Sequence, residues 1–349
     1  AVPAVVHGSE LILDAAEAMA GYPAQAVNEA ELLLKLKQLV AIQRWDSAHS
    51  TQKKAYLTPQ DLPELLALRR KHPDAQIVAG CTDVGLWVTK QHRDFAQVLD
   101  LTRVAELRRV ERYPHHIAIG AAVPLTDAFA ALVADRPQLL GFTRRFAGLP
   151  VRNSGTLGGN VANGSPIGDS MPLLIALGAN VVLMSQRGGK TVSRELRLED
   201  LYTGYRQNVM AKDEVLAWIK VPLPQDGEFL RAYKISKRFE DDISAVCLAI
   251  CLQLDDGRIR RASIGAGGVA ATPARARRTE AALIGRAPDG ATFDAAARVL
   301  QAEFEPISDM RASAAYRHEL LGNLMQRFAL EIQGEANISI DTLVLEDRP

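Results

Sequence analysis

The chain has 349 residues, a length typical of two domains. Hydrophobic residues make up 48% and charged residues 23%, which excludes disordered and fibrous proteins. The 41 basic and 41 acidic residues leave no formal net charge, so the main electrostatic argument for binding nucleic acid is missing. Because no apolar run approaches the about 18 residues that cross a bilayer, we also expect no membrane partner.

The number and spacing of the cysteines and histidines indicate the cellular compartment and whether a metal site is expected. Cys81, Cys247 and Cys251 form no Cys-x-x-Cys pair and are too few for a disulfide framework. A reducing compartment fits best, and we expect a cytoplasmic protein. His115 and His116 are adjacent, and neighbours on a strand point to opposite faces. Since no His-Glu-x-x-His motif occurs either, the sequence predicts no metal site.

The first 50 residues predict a helical arm and not a domain. Apolar spacing indicates helices over Glu10–Ala20 and Glu29–Arg44. The polar stretch Asp46–Lys54 then predicts a linker.

From residue 51 helices alternate with strands. We expect a helix over Pro59–Lys71, with Thr58 as its N-cap. Further helices are predicted over Thr126–Ala134 and Pro172–Leu177. The predicted strands are Gln76–Ala79, Phe95–Leu99, Ile117–Ala122, Asn180–Ser185 and Leu216–Pro222. Because the order is mixed and lacks regular βαβ spacing, the pattern favours an α+β fold.

The rhythm changes at residues 225–230, where we place a domain boundary between residues 51–228 and 229–335, with a tail over 336–349. Strands over Arg231–Lys237, Ser244–Leu254 and Arg258–Gly265 indicate an antiparallel meander, with Asp255-Asp256-Gly257 as a hairpin turn. The helices that follow are predicted over Thr279–Ile284, Thr292–Glu303 and Ala312–Ile332.

Two glycine-containing segments carry the candidate chemistry. In Ile77–Val84 a strand ends at Gly80, and such a turn exposes consecutive backbone N–H groups that bind phosphate. Residues 154–169 contain five glycines among Asn, Ser and Thr, so the backbone can approach a ligand and offer uncharged hydrogen bonds. Neither segment matches the Rossmann or Walker pattern. Two interpretations stay open: ordinary tight turns, or a surface for a large phosphate-bearing cofactor.

Four longer strings carry a resemblance to a known family. They are IVAGCTDVGLWVTK (77–90), RFAGLPVRNSGTLGGNVANGSPIGDSMP (145–172), YKISKRFEDDISAV (233–246) and SDMRASAAYR (308–317). Through them, residues 55–335 resemble the FAD-binding part of the xanthine dehydrogenase family of molybdenum hydroxylases, specifically its bacterial small subunits. The resemblance implies a two-subdomain FAD-binding fold of the vanillyl-alcohol-oxidase type, split near residue 115. A smaller C-terminal α+β domain with an antiparallel sheet would follow.

The resemblance also implies which residues hold FAD. The pyrophosphate would be wrapped by Ile77, Val78, Ala79, Gly80, Cys81, Thr82, Asp83 and Val84. The other expected contacts are Phe146, Thr156, Gly158, Gly159, Asn160, Asn163, Ser165, Asp169, Leu216 and Lys234. Phe146 would pack against the isoalloxazine, with plain core packing as its alternative. With no His or Cys within residues 146–172, we expect the cofactor to be bound noncovalently.

Three residues are candidates for a part in the reaction: Asp241, Arg206 and Lys234. The stretch Ile235–Ala245 resembles a mobile loop beside the flavin, where Asp241 would shape the flavin potential or admit NAD. Tyr205-Arg206 matches a pair near the nicotinamide side. Without the resemblance, these charged residues would be interpreted as a solvated turn and a solvated strand end. Cys247 and Cys251 share one strand face and are expected to be structural thiols.

The implied function is an FAD-containing electron-transfer module of a xanthine dehydrogenase, which passes electrons from iron–sulfur clusters to NAD⁺. Two 2Fe–2S clusters need four thiolates each, and this sequence has three dispersed cysteines. We therefore expect an iron–sulfur domain and a molybdenum-cofactor subunit as partners, within a higher oligomer. Gly8–Gly21 resembles the last helix of that iron–sulfur domain, which would make residues 1–50 its remnant. Two alternatives stay open: the flavoprotein of a carbon monoxide or N-heterocycle dehydrogenase, and a non-catalytic flavin-binding protein.

Overall fold

The computed structural model describes residues 13–19, 21–22, 28–42 and 55–335. The chain divides into two compact units, residues 1–53 and residues 54–349. In the first unit, residues 13–19 are helical and helix α1 spans Glu29–Ile42. Both lie within the predicted helices. The predicted linker 46–54 and tail 336–349 lie outside the described residues.

The second unit begins with a three-stranded parallel sheet. Strands β1 (Ala55–Leu57), β2 (Gln76–Val78) and β3 (Gln97–Asp100) pair in the order β1-β3-β2, with helices α2 (Leu62–Lys71) and α3 (Val84–Gln91) between them. The prediction that Thr58 caps the first of these helices is wrong. The cap is Asp61, whose carboxylate accepts the N–H of Glu64 at 2.8 Å. Pro63 fits the first helical turn because it has no N–H to satisfy there.

A five-stranded antiparallel sheet follows, in the order β4-β5-β10-β6-β7. Its strands are β4 (Val110–Arg112), β5 (His116–Gly120), β6 (Asn180–Arg187), β7 (Lys190–Arg197) and β10 (Val215–Pro222). A small ribbon consists of β8 (Tyr202–Gly204) and β9 (Gln207–Asn208). The helices of this part are α4 (Leu125–Asp135), α5 (Leu140–Arg144), α6 (Leu149–Ser154), α7 (Leu157–Asn163) and α8 (Ser170–Ala176).

The second glycine-rich segment is not a continuous loop, because α7 lies in its middle. The Thr156 hydroxyl caps this helix by accepting the N–H of Gly159 at 3.0 Å. Gly164, at a φ of +58°, ends the helix in the left-handed conformation that favours glycine.

The C-terminal part is a four-stranded antiparallel sheet covered by three helices. The strands β11 (Glu228–Ile235), β12 (Val246–Asp255), β13 (Arg258–Gly267) and β14 (Ala274–Arg275) pair in chain order. The helices are α9 (Arg277–Leu283), α10 (Gly290–Glu303) and α11 (Ala314–Ile332). The strand expected to reach Lys237 ends at Ile235, because its pairing with β12 stops at the pair Ile235–Val246. The expected α+β class is confirmed.

Strand β12 separates two hydrophobic cores. Leu248 and Ile250 face the core that α10 and α11 cover, whereas Cys247 faces the core shared with α4, α7 and α8. Cys251 packs against that second core from a partly buried position. Burial raises the pKa of the Cys247 thiol well above its ordinary value and that of Cys251 to about 12. Both are packed, protonated thiols at neutral pH.

None of the helices in the described ranges combines the length and the hydropathy needed to cross a bilayer.

Candidate cofactor-binding cleft

A cleft of about 630 Å³ lies where the parallel sheet, helices α6–α8 and the end of β11 meet. This volume is in the range of small-molecule and cofactor sites. All the predicted site residues except Arg206 line it. They are Ile77, Val78, Ala79, Gly80, Cys81, Thr82, Asp83, Val84, Phe146, Thr156, Gly158, Gly159, Asn160, Asn163, Ser165, Asp169, Leu216, Lys234 and Asp241.

One wall of the cleft is a row of backbone N–H groups between β2 and α3. Among the described residues, the N–H groups of residues 79–83 donate to no other atom. Cys81 has a φ of 59°, and a left-handed residue in such a turn lets successive N–H groups converge on an anion. A Cβ on Gly80 would lie 2.0 Å from the Ser154 carbonyl oxygen, so this turn packs against α6 only as glycine.

Two adjacent glycines at the start of α7 have different surroundings. A Cβ on Gly158 would lie 2.4 Å from the Ala121 Cβ, inside the protein. On Gly159 it would contact only the capping hydroxyl of Thr156, at 2.9 Å, and otherwise face the open cleft. Gly158 therefore serves packing, and Gly159 leaves room for a ligand.

A buried charge network lies at one end of the cleft. The Lys234 ammonium donates to Asp169 Oδ2 at 2.6 Å and to the Ser244 hydroxyl at 3.1 Å. The same hydroxyl donates to Asp169 Oδ1 at 2.5 Å. Lys234 and Asp169 side chains are only 2% and 6% exposed, so each charge depends on the other for compensation. Sequence analysis missed Ser244, because nothing in a single serine before a strand marks a partner 75 residues away.

The loop between β11 and β12 carries Asp241 to the cleft. A backbone bond from Ala245 N–H to the Ile235 carbonyl, 2.7 Å long, closes its base. Asp242 accepts the N–H groups of Arg238 and Ile243, both at 2.9 Å. The pKa of Asp242 lies below its ordinary value, chiefly because of the hydrogen bond from Arg238 N–H. Asp242 thus holds the loop as a turn.

Asp241 itself is in a strained conformation against α6. Its φ is 48°, and a Cβ placed on Gly148 would lie 3.3 Å from its Oδ1. Cys81 and Ala147, at φ values of 59° and 48°, also line the cleft. Residues in sparsely populated backbone conformations concentrate at functional sites, because the surrounding structure must hold them there.

Arg206 lies at the rim of the cleft and not in its lining. It is exposed on the turn between β8 and β9, with its guanidinium carbon 5.4 Å from the ring centre of Tyr205. Burial raises the pKa of Asp83, and the positive charge of Arg206 opposes this shift. The two side chains are therefore electrostatic neighbours, and a direct role for Arg206 stays a prediction.

The far end of the cleft contains basic residues that sequence analysis missed. Arg69 donates to the Ala75 carbonyl at 2.8 Å, while its buried Nε has no partner among the described residues. Lys212 pairs with Asp74 at 2.7 Å. Arg69 lies in the last turn of a helix and Lys212 in a turn before β10, positions where a basic residue is usually solvated, so the sequence held no signal for either lining residue.

These walls fit FAD. Free N–H groups suit a pyrophosphate, and the apolar wall with Phe146 and Leu216 suits a flat ring. Phe146 contacts Phe129 edge-on at 5.0 Å, so it belongs to the core and to the cleft at once.

Comparison with known proteins gives the same family. Residues 49–224 match the family described as FAD binding domain in molybdopterin dehydrogenase, and residues 231–332 match the CO dehydrogenase flavoprotein C-terminal domain. The chain belongs to the family of FAD-binding domains of molybdopterin dehydrogenases.

The chain is also similar to parts of longer proteins. The chain is 32% identical to xanthine dehydrogenase/oxidase of Gallus gallus over 72% of its own length and 19% of that protein. It is 31% identical to xanthine dehydrogenase of Drosophila pseudoobscura pseudoobscura over 86% of its length and 24% of that protein. The chain thus spans about a fifth to a quarter of these relatives.

A solved structure confirms the fold. Carbon monoxide dehydrogenase from Hydrogenophaga pseudoflava superposes with a TM-score of 0.73 at 27% identity, covering 79% of this chain and 95% of the matched chain. The two-part FAD-binding fold expected from the resemblance is therefore correct.

Proposed function

We propose that this chain is the FAD-containing electron-transfer module of a xanthine dehydrogenase and delivers electrons from iron–sulfur clusters to NAD⁺. The observation that carries the proposal is the presence of two complementary groups in one cleft. These are the free N–H row of residues 79–83 and the buried Lys234–Asp169 pair. Bound FAD supplies the redox chemistry, and the protein supplies binding, orientation and electrostatics.

The residues divide this work along the cleft. The N–H row after β2 binds the pyrophosphate without a cation, which suits a chain with no net charge. Phe146 and Leu216 hold the ring plane, and Gly159 leaves the backbone open to it. The Lys234 ammonium, which Asp169 compensates, would give bound FAD an electropositive contact from the buried end of the cleft. In this proposal no side chain acts as an acid or base.

Asp241 is the residue that would act on NAD, the second ligand of the proposed site. Its carboxylate, held by a strained turn against Gly148, sets the electrostatics at the mouth where NAD would enter. The matches to xanthine dehydrogenases at about 30% identity favour this branch. Purine oxidation itself would take place at a molybdenum cofactor on a partner subunit.

A second candidate is the flavoprotein of a carbon monoxide dehydrogenase. It is favoured by the match of residues 231–332 to the CO dehydrogenase flavoprotein C-terminal domain and by the superposition at a TM-score of 0.73. A third is a flavin-binding protein with no redox partner.

Anaerobic titration with NADH tests the proposal. We expect NADH to bleach the FAD of the reconstituted chain. Asp241→Ala should bind FAD normally but change NADH affinity by about 5- to 150-fold, the range of couplings of 1–3 kcal/mol. The matched control is Glu240→Ala, one residue away on the same loop, which should behave as wild type. FAD that binds but resists NADH would contradict the NAD-linked role and favour the second or third candidate.

A further inference from the structure

The string over residues 308–317 has no role in the cleft described so far, although it ends in the most buried arginine of the described residues. Arg317, in the first turn of α11, is 1% exposed. Its guanidinium donates to the carbonyls of Ala245 at 3.0 Å and Gly268 at 2.6 Å, and to Asp309 Oδ1 at 2.5 Å. Both carbonyls belong to loop ends and not to the strand ladder.

Each of these two carbonyls lies in a segment that is connected by hydrogen bonds to the network of Asp169, Lys234 and Ser244. Ala245 directly follows Ser244, which donates to Asp169, and its N–H closes the loop on the residue after Lys234. Gly268 donates its N–H to the Pro166 carbonyl at 2.7 Å, in the turn that leads to Asp169. Arg317 therefore donates hydrogen bonds to both of the backbone segments that are connected to this network.

We propose that Arg317 is a positioning residue that fixes the Asp169–Lys234–Ser244 network by holding Ala245 and Gly268 together. It acts behind the network and does not touch the cleft. Its consequence for FAD rests on the proposed function, whereas its hold on the backbone does not.

The surroundings of Arg317 are built for this contact. A Cβ on Gly268 would lie 2.3 Å from the Ala245 oxygen and 3.2 Å from the arginine Nη1, so only glycine admits both groups. Asp309 is itself held by the N–H groups of Arg311 and Ala312, at 2.9 and 3.1 Å. A planar guanidinium reaches three acceptors in fixed directions, which an ammonium group cannot do.

Hydrogen exchange on the full chain without FAD tests the hold on the backbone. In Arg317→Met the Ala245 and Gly268 amides should exchange at least about tenfold faster than in wild type, because these two residues lose the guanidinium that holds both of their carbonyls. The matched control is Met325→Ala, which creates a cavity in the core under α11, eight residues beyond Arg317 on the same helix, and removes no hydrogen bond to either segment. It should lower the melting temperature while leaving the exchange of these two amides close to wild type.

FAD titration and the flavin spectrum provide the second readout. Arg317→Met should weaken FAD binding by about tenfold and alter the flavin absorption band, with Arg317→Lys intermediate. Met325→Ala should change neither. Equal effects of Arg317→Met and Met325→Ala on exchange and on FAD would mean a merely structural arginine and overturn the proposal. If Arg317→Met does not fold, Arg317→Lys decides by the same criteria. A wild-type chain that binds no FAD refutes the proposed function, while the exchange comparison still decides on Arg317.

Discussion

At the residue scale, two adjacent residues of the same type in the cleft have different structural roles. Gly158 and Gly159 are neighbours in one string, yet a Cβ on the first would lie about 2.5 Å from both the backbone and the side chain of Ala121, whereas one on the second would meet only the Thr156 hydroxyl, at 2.9 Å. The sequence identified both as cofactor residues because the string is matched as a whole. Only the surroundings of each Cα separate packing from ligand access.

Substitution of Gly159 tests this distinction. Gly159→Val should fold, because only the Thr156 hydroxyl has to shift away from the new Cβ, but the branched side chain enters the cleft. Overpacking costs about 1–3 kcal/mol, so FAD affinity should fall by about 5- to 150-fold. The control Gly141→Ala adds a Cβ with no atom within 4 Å and should bind as wild type. Full FAD affinity in Gly159→Val would show that the cofactor does not pass this glycine.

The buried pair makes a second prediction at this scale. Lys234→Met should cost about 3–5 kcal/mol of unfolding free energy, because Asp169 would remain buried without its countercharge. Lys234→Met combined with Asp169→Asn should recover most of that loss, and both variants should bind FAD weakly. The control is Lys220→Met, whose pair with Glu195 is about one-third exposed and should be worth at most about 1 kcal/mol. Denaturant unfolding without FAD measures all three, and a fully stable Lys234→Met would contradict the assignment.

At the element scale, the loop between β11 and β12 connects a local turn to the cleft mouth. Asp242 ties the loop internally through Arg238 and Ile243, and also approaches Arg311 at 3.9 Å. Its neighbour Asp241 is thereby held in the left-handed region. The turn depends on a charged carboxylate, so its integrity depends on pH.

The direction of that pH dependence follows from the lowered pKa of Asp242. Because the folded carboxyl has a pKa below its ordinary value, its contribution is complete above about pH 3.9 and is lost as the pH falls below that value. The amide resonances of Arg238 and Ile243 should therefore stay constant down to about pH 3.9 and shift only at lower pH. Asp242→Asn should abolish this titration. A midpoint at or above the ordinary carboxyl value would refute the hydrogen-bonded turn.

Elements with a strong hydrophobic period were predictable, and those without one were not. The meander β11–β13 and helices α10 and α11 lie within a few residues of their predicted bounds. Strand β7 was missed because almost all its residues are exposed on both faces, which removes the alternation that marks a strand. Helix α7 was hidden by its glycines. Ser244 and Arg317 were missed because their partners come from segments about 70 residues away.

At the scale of the whole molecule, the cofactor cleft is contained within one unit of the chain. The residues that line the cleft lie between positions 69 and 243, and all of them belong to the second unit. The cysteines do not converge on a cluster site, since Cys81 is exposed in the cleft and Cys247 and Cys251 are packed along β12. An iron–sulfur cluster takes four cysteine ligands, which these three positions do not supply.

This arrangement predicts the behaviour of the purified chain in two parallel assays. Reconstituted with FAD, it should reduce artificial acceptors with NADH, because that exchange needs only the cleft from Ile77 to Asp241. It should form no urate from xanthine until a molybdenum subunit and an iron–sulfur domain are added. The flavin should leave the protein on acid precipitation, because the only thiol in the cleft lining is Cys81, at the phosphate row, and no histidine lines the cleft among the described residues. Iron and molybdenum are quantified on the same preparation. Xanthine turnover by metal-free protein would refute the modular assignment, and yellow colour retained on the precipitate would refute noncovalent binding.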